Sequence, residues 1–431
     1  GGSTDNSDNG LTYEGGDDDW YGLDDGTREA PAALRQLWSN YDSLGELSQE
    51  DNRAIAADLY KDYDPKSEDP EPDFGLDMTI GNRFDSESGD YRYGFLAAVS
   101  YDNEWQVSEE FEGQDFVIQP DGSYDLVRGF DDVISTEHSV RWSGMFNFGV
   151  EYKRDHKIDF SSTILHDTRD QIKEKYGNTN NVKLSDDLRV RDVDVAYEER
   201  ELIVNQVRGS HNFPKWWFIG VDWKYSDSRS NRYAPGNIST RYILADENED
   251  GVFDLKTESS LRNATTASRY TFQELDDEVE NAGFNVSLPL TYDSTEIELK
   301  AGADYIEKTR DAFARRIDFN TLAFDNLDLS GYEMNEILSD DAVLNHPLSS
   351  SELLIRDTSV DGDDYMSAQK VDAYYFEADM FFDNTWRVSG GVRWEDFRQV
   401  VAPLDPATGQ FDIPANPTEE DLEELAFKED D

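Results

Sequence analysis

Apolar side chains recur at every second position in several separate segments of this chain. The first run is Phe74, Leu76, Met78, Ile80 and Phe84. Successive side chains of an extended strand point to opposite faces, so period two predicts strands with one apolar face. Clear runs lie within residues 74–84, 91–101, 140–152, 158–164, 217–225, 282–292, 297–305, 374–382 and 386–394, with a weaker one near 190–211. We therefore predict an all-β, antiparallel chain of about ten strands.

The connections between these strands alternate between short and long. Short polar turns are predicted at residues 85–90, 153–155, 213–214, 293–294 and 383–385, while long loops are predicted at 103–135, 169–188, 230–263 and 311–367. Short turns at one end and long loops at the other are typical of outer-membrane β-barrels. We expect the long loops to form the external, ligand-facing surface.

The two faces of the predicted strands differ in polarity. No charged residue occurs on the apolar face, whereas the opposite face carries ionic residues such as Arg92, Glu151, Lys224 and Asp304. Soluble antiparallel sheets alternate in the same way, so alternation alone does not identify the solvent. Two features favour lipid: aromatic residues at the strand ends, and apolar stretches of about 9–13 residues, close to the 9–11 that a tilted transmembrane strand needs.

Composition restricts the classes of function. The formal net charge of -56 repels nucleic acid, and the absence of cysteine excludes disulfides and thiol chemistry. No apolar run is long enough for a transmembrane helix. The chain opens with Gly-Gly-Ser-Thr-Asp, without a Met or a signal peptide, and we expect a truncated chain. An acidic soluble protein from a salty habitat is the alternative reading of this composition.

The chain is expected to have three parts. Residues 1–72 are polar and irregular and form an external segment, with short helices near 30–39 and 49–62. Ser48 and Asp51 have the spacing of a capping box at the start of the second helix. Residues 73–400 are expected to form part of an antiparallel transmembrane β-barrel, about ten strands of a larger barrel with long external loops. Residues 401–431 form an acidic tail.

Four segments resemble TonB-dependent receptors, a family of outer-membrane transporters. Val371–Arg398 is similar to a late barrel hairpin of that family, with its short Asp/Asn turn and a Gly-Val-Arg-aromatic-Glu strand. Trp20–Arg28, Tyr225–Arg241 and Leu299–Asp318 also resemble segments of these receptors. The resemblance implies a 22-stranded barrel with an N-terminal plug, driven by the TonB complex. This chain shows neither a plug nor a TonB box nor a terminal aromatic strand, so we expect it to be an internal portion of such a receptor.

The sequence offers little chemistry for catalysis. No nucleophile elbow, zinc-protease motif or phosphate-binding glycine loop occurs, and we expect the protein not to be an enzyme. Residues 246–258 resemble the first half of an EF-hand loop, with candidate calcium ligands at Asp246, Asn248, Asp250 and Asp254. Position twelve is Thr257 rather than Glu, and no helix pair is predicted beside it, so an acidic turn is the alternative. No other cofactor is predicted.

The leading hypothesis is a TonB-dependent transporter in the bacterial outer membrane, which takes up a scarce solute through a plugged barrel. The expected partners are outer-membrane lipid, the TonB complex through a plug domain, and a small-molecule, siderophore, peptide or saccharide ligand that the sequence does not identify. One alternative is a passive porin-like or structural surface barrel. The other is a soluble, acidic, calcium-binding β protein.

Overall fold

The computed structural model describes residues 10–118, 121–179, 182, 188–246, 255–349, 352–360, 362–383, 385–405 and 408. Within these residues, ten long strands follow one another along the chain. They are β3 (Phe74–Asp85), β4 (Tyr91–Ile118), β5 (Tyr124–Tyr152), β6 (His156–Asn178), β7 (Leu188–Phe213), β8 (Ile219–Ala245), β10 (Ser268–Tyr292), β11 (Thr295–Phe319), β13 (Asp364–Phe382) and β14 (Trp386–Leu404). The prediction of an all-β chain with ten strands is confirmed.

The ten strands form one antiparallel meander. Each strand pairs with the long strands before and after it, in the order β14-β13-β11-β10-β8-β7-β6-β5-β4-β3. Two short strands, β9 (Ser259–Leu261) and β12 (Ile355–Asp357), add to β8 and β11, so the sheet contains 12 strands. In the described part of the chain, β3 and β14 are the two edges of this sheet and do not pair with each other.

Five tight turns lie at the same end of the sheet, which we call the turn end. Lys153 and Arg154 have φ angles of 51° and 64°, and Asp293 has a φ of 55°, as hairpin turns of the primed types require. The turns predicted at residues 85–90, 153–155 and 293–294 are confirmed, and so is the one at residues 383 and 385 as far as it is described, whereas the turn predicted at residues 213–214 spans residues 214–218. The prediction that Trp217 starts a strand is wrong, because Trp217 and Phe218, at φ 56° and 57°, belong to the turn and β8 begins at Ile219.

The predicted long loops are wrong over much of their length. β4 continues to residue 118 and β5 begins at residue 124, so most of the range 103–135 is strand. β6, β8 and β11 likewise extend to residues 178, 245 and 319. Charged residues on both faces, as at Glu109-Glu110-Phe111-Glu112, remove the period-two signal there. The backbone ladder continues nevertheless, because it does not depend on side-chain polarity.

A bulge in β8 inserts one extra residue, so the alternation of its side chains between the two faces of the sheet is reversed beyond the bulge. Val195 of β7 pairs with Ile238, but Glu199 pairs with Tyr233, so β8 contains one residue more than its partner. Gly236 lies within this bulge at φ 154°, and a Cβ atom there would lie 2.6 Å from the backbone oxygen of Arg28. The bulge therefore brings the backbone of β8 close to the N-terminal part of the chain.

Residues 10–67, 320–349 and 352–357 cover one face of the sheet at the end opposite the turns, and we call them the cover. The cover contains β1 (Leu11–Thr12), β2 (Lys66–Ser67), α1 (Ala32–Asn40), α2 (Gln49–Ala57), α3 (Met334–Ile337) and α4 (Asp341–Leu344). The hydrophobic core lies between the cover and the strands. Among its fully buried members are Leu34, Ala56, Tyr63, Val195, Tyr242, Tyr270, Ile317, Phe319 and Ile337.

Asn52 joins the two parts of the cover. Its side chain is fully buried, donates a hydrogen bond to the backbone oxygen of Ile355 at 2.9 Å and accepts two from the amides of Leu354 and Ile355. The two predicted helices are confirmed in position, although the second ends at Ala57 rather than near residue 62. The Ser48 hydroxyl accepts the amide of Asp51 at 3.1 Å, as the capping spacing predicts. Among the described residues, no helix has the length and hydropathy to cross a membrane.

Candidate membrane-facing surface

Large apolar side chains are exposed across the turn-end half of the sheet, and most of them lie on one face. We call this surface the apolar band. Its exposed members, among the described residues, are Phe74, Leu76, Met78, Ile80, Phe84, Tyr91, Tyr93, Val99, Phe146, Phe148, Ile158, Tyr225, Phe284, Leu290, Tyr292, Tyr374, Phe376, Trp386, Val388, Val392 and Trp394. Of the positions assigned to the apolar face from the sequence, the structure buries Val140 alone among those it describes. The band is therefore not packed beneath a second layer of protein.

The band ends where the cover begins. Farther along the strands, charged side chains return to the same face at Glu278, Glu280 and Glu307, and the buried residues Tyr270 and Ile317 then contact the cover. The apolar band and the cover thus occupy the same face of the sheet, one after the other. The apolar band of the ten strands is therefore bordered by charged residues on one side and by the turns on the other.

The apolar band exposes an unusually large area. About twenty exposed apolar side chains at roughly 100 Å² each give on the order of 2,000 Å², several times the few hundred Å² that soluble monomers expose. At roughly 25 cal/mol per Å², moving this area out of water is worth about 50 kcal/mol, more than the net stability of an ordinary fold. A surface of this kind is much larger than the apolar patches of soluble monomers and is suited to contact with an apolar partner.

Aromatic rings are concentrated at the turn end of the band. Tyr91 contacts Tyr152 with ring centroids 4.7 Å apart, and the contacts continue through His156 and Phe213 to Trp216, 5.6 Å from Phe213. Beyond this continuous row, Trp217, Tyr292 and Trp386 are 75%, 81% and 73% exposed. Rings with an apolar body and a polar edge are typical of the boundary between hydrocarbon and water.

The opposite face of the sheet carries paired charges along its whole length, as predicted, and we call it the ion-pair face. Most pairs join neighbouring strands at N–O distances near 3 Å, so the charges compensate one another locally. They include Arg92–Glu151, Arg141–Asp167, Lys157–Asp159, Lys175–Asp194, Arg241–Asp192, Arg269–Asp318, Arg310–Asp277, Lys224–Asp304 and Lys300–Glu298. This face is suited to a polar, water-containing interior rather than to lipid.

Arg28 anchors the cover to the sheet. Its side chain has no exposed surface and pairs with Asp19 at 2.5 Å, Asp24 at 3.0 Å and Asp170 of β6 at 3.2 Å. The guanidinium also lies 4.2 Å from the ring centroid of Tyr197 on β7. Burial raises the pKa of the Asp170 carboxyl to about 6, against the opposing effect of Arg28. Because one cation compensates several buried carboxylates, the anchor depends on Arg28.

Arg191 forms a second contact between the sheet and the cover. It donates to Glu174 at 2.7 Å and to Glu333 of the cover at 2.9 Å, with its guanidinium 5.0 Å from the ring centroid of Tyr242. Asp64 lies beside this group, and burial together with the negative charge of Glu333 raises the pKa of Asp64 to about 7. Arg191 therefore links the sheet to the cover next to a carboxyl group, Asp64, whose pKa is raised.

The structure leaves the predicted calcium site untested. Asp246 directly follows β8, while Asn248, Asp250 and Asp254 lie outside the described residues. Across the ranges that the structure describes, no group of three or more acidic, histidine or cysteine side chains could hold a metal ion. Calcium binding at residues 246–258 remains a prediction from the sequence.

Comparisons with known proteins identify no relative of this chain. No protein-family model matches it, and no curated protein matches it. One solved structure, described as the crystal structure of lipopolysaccharide binding protein, aligns over 82% of this chain and 81% of that chain at 10% identity, with a TM-score of 0.09. A superposition at that score supports neither a shared fold nor a shared function.

Sequence reasoning missed the Arg28 anchor. The sequence predicts that Trp20–Arg28 belongs to an irregular external segment, whereas the structure places Arg28 against β6 and β7. Arg28 and Asp170 are 142 residues apart, and neither lies in a periodic apolar run. The one available signal was a single arginine shortly after the acidic residues 17–25, which by itself does not indicate burial.

Proposed function

We propose that this chain is the membrane-embedded sheet of an outer-membrane, TonB-dependent transporter, and that it acts in solute uptake rather than catalysis. In this proposal the apolar band contacts acyl chains, the ion-pair face lines a polar interior, and the cover lies outside the membrane. The observation that carries the proposal is the exposed apolar band, which is about ten strands wide and bordered by aromatic residues at the turns.

The dimensions of the strands support a membrane position. β3 contains 12 residues, all exposed, and its apolar positions run along its length. Twelve residues at about 3.3 Å each rise about 40 Å, and a tilt of roughly 45° reduces that to about 28 Å along the membrane normal, close to the thickness of the hydrocarbon core. The longer strands extend beyond this thickness into the part that the cover protects.

A lipid-exposed sheet needs every strand edge to be paired, since unsatisfied backbone groups cost several kcal/mol each in hydrocarbon. The proposal therefore requires β3 and β14 to pair in the membrane, either with each other or with further strands. The resemblance to TonB-dependent receptors implies the second arrangement, within a larger barrel that encloses a plug. The same resemblance is the basis for proposing energy coupling through TonB.

Depth-dependent fluorescence quenching tests the membrane position. In variants that keep a single tryptophan, lipids brominated along the acyl chain should quench Trp394 of the band strongly and Trp20 of the cover weakly. Trp20 is a suitable control because it is 65% exposed but lies outside the band. Equal quenching of the two residues, or a monodisperse chain in water without detergent, would refute the membrane position and favour the soluble β protein.

Uptake measurements test the transporter assignment separately. Cells that carry the transporter should lose solute uptake when a protonophore dissipates the proton-motive force, because coupling through TonB depends on that force. Uptake that persists after dissipation would instead assign the sheet to a passive channel.

A further inference from the structure

A cavity of about 540 Å³ lies between the cover and the sheet, beyond the charged border of the apolar band. It is formed by α1 and the residues just before it, by the bulged part of β8, and by β10, β11 and the start of β13. Ligand pockets of small molecules usually have volumes of about 300–1,000 Å³. The cavity is therefore large enough for a small organic ligand.

Aromatic rings from separate segments form the walls of this cavity. The ring of Trp38 on α1 contacts Phe272 of β10 and Phe313 of β11, with centroid distances of 5.4 and 5.9 Å. Tyr233 of β8 and Tyr41, the residue that ends α1, complete the aromatic lining. Flat apolar surfaces at several angles suit a ligand with apolar faces of its own.

Planar polar side chains surround these rings. Arg35 pairs with Glu29 at 2.5 Å, and the Tyr233 hydroxyl donates to Glu29 at 3.4 Å. On the other side, Arg315 forms an ion pair with Asp364. The cavity is thus lined by both hydrogen-bond donors and hydrogen-bond acceptors. Neighbouring carboxylates compensate the charges of the two arginines.

These features restrict the charge of the ligand. The net charge of -56 repels anions, and carboxylates of Glu29, Glu274 and Asp364 line the cavity. A cation would compete with Arg315, whose guanidinium already lies 4.5 Å from the ring centroid of Phe313. A hydrocarbon would remove water from the polar side chains of the rim without adding a hydrogen bond to them.

We infer that this cavity binds a neutral saccharide. The C–H faces of a pyranose ring pack against Trp38, Phe272 or Phe313, while its hydroxyls both donate to and accept from the Arg–Glu and Arg–Asp pairs. The cavity lies on the same face as the apolar band, so this binding site is separate from the solute path proposed along the ion-pair face. Saccharide binding itself depends on the cavity alone.

Calorimetric titration of the full chain in detergent tests the inference, with a panel of neutral di- and trisaccharides, choline as a cationic probe and citrate as an anionic probe. At least one neutral saccharide should bind with a dissociation constant of about a millimolar or tighter. Trp38→Ala should weaken that binding by about tenfold or more, because the ring forms two of the aromatic contacts in the wall. Trp20→Ala, which removes an exposed ring away from the cavity, should leave binding unchanged.

Tyr41→Ala provides a second variant in case Trp38→Ala fails to fold, since Tyr41 lies at the exposed end of α1. It should weaken saccharide binding without changing the circular dichroism spectrum. Binding of choline or citrate in place of saccharides, the absence of binding by every neutral saccharide, or saccharide binding that both variants leave intact would each overturn the inference. Lipid quenching of Trp394 is measured independently, so failure here does not affect the membrane proposal.

Discussion

Lys224 on β8 and Asp304 on β11 form an ion pair at 3.1 Å although β10 lies between their two strands. Gly283 of β10 is the residue directly between them, because it pairs with Lys224 on one side and Asp304 on the other. A Cβ atom at Gly283 would lie 2.4 Å from the carboxylate of Asp304 and 2.9 Å from the Lys224 side chain. The missing side chain is therefore what allows the pair to cross the central strand.

The same arrangement occurs one strand farther along the sheet. The Tyr375 hydroxyl of β13 donates to the side-chain oxygen of Asn285 on β10 at 2.8 Å, across Gly302 of β11. A Cβ at Gly302 would lie 2.5 Å from each of these two side chains. Glycine on the ion-pair face thus permits polar contacts between strands that are not neighbours.

Substitution of Gly283 should weaken the sheet. Gly283→Val places a branched side chain in the space that the Lys224–Asp304 pair occupies, and we expect a loss of about 1–3 kcal/mol in the free energy of unfolding. Gly390→Ala is the matched control, since a Cβ atom there meets nothing within 4 Å. Urea unfolding in detergent micelles measures both changes, and an equal response of the two variants would contradict a crossing pair.

Removal of the Arg28 cation should release the cover. Arg28→Met leaves the buried carboxylates of Asp19, Asp24 and Asp170 without their cation, and breaking a buried ion pair costs about 3–5 kcal/mol. We expect rapid proteolysis within residues 10–67 while the strands of the apolar band remain protected. Arg229→Met should have little effect, because Arg229 is 67% exposed and its pair with Glu278 is solvated. Equal proteolysis of the two variants would show that Arg28 does not anchor the cover.

Stability of the cover should fall between about pH 4 and pH 7 through Asp64. The pKa of Asp64 is raised from 3.8 to about 7 in the folded chain, so the fold favours the protonated carboxyl. Stability from this group is fully present below the unfolded pKa and declines until the pH passes the folded value. Asp64→Asn should make that decline smaller, because the amide does not ionise beside Glu333, and the remaining decline comes from Asp170, whose pKa is raised to about 6.

Denaturant unfolding of the cover, followed by Trp38 fluorescence at several pH values, measures this effect. The exposed neighbour Asp62 provides the control for a simple loss of one negative charge, as Asp62→Asn. If the wild-type chain and Asp64→Asn lose stability equally between pH 4 and pH 7, Asp64 does not control the pH response.

A charge on the apolar band should prevent stable insertion, whereas the same charge on the next residue should be tolerated. Met78 is 60% exposed on the band, and Thr79 faces the opposite side of β3. Met78→Arg should cost about 2–4 kcal/mol in lipid vesicles, the usual penalty for arginine near the bilayer midplane. Thr79→Arg should insert almost normally, and similar folding yields of both variants would argue against lipid contact.

Calcium should protect residues 246–258 from proteolysis. The alternating oxygen ligands of Asp246, Asn248 and Asp250 favour a hard cation, and the absence of Glu at position twelve favours millimolar rather than micromolar affinity, as in extracellular modules. Calorimetry with calcium should give a dissociation constant of about a millimolar. The double variant Asp246→Asn and Asp250→Asn should abolish both the heat of binding and the protection. If calcium does not change the proteolytic cleavage of residues 246–258 in the wild-type chain, the calcium hypothesis is wrong.

The strands of the turn-end half were predictable because their signal is local. Residues such as Met78 and Thr79 differ in polarity because they face different environments, and that difference is repeated along each strand. The signal disappears where both faces are polar, so the sequence predicts loops over the parts of β4 and β5 that lie far from the turns. The turn at Trp217 was missed for a related reason, since the apolar alternation of β8 continues into residues whose backbone has a positive φ.

The sequence by itself determined the ten strands, most of their hairpin turns and the separation of apolar from ionic residues on the two faces. Each of these features depends on side chains that are close together along the chain. Only the tertiary structure decided that the cover lies on the same face as the apolar band, that Arg28 reaches Asp170, and that Trp38, Phe272 and Phe313 enclose a cavity. These contacts join residues up to hundreds of positions apart. They depend on how distant surfaces fit and compensate each other's charge, which periodicity along the chain does not encode.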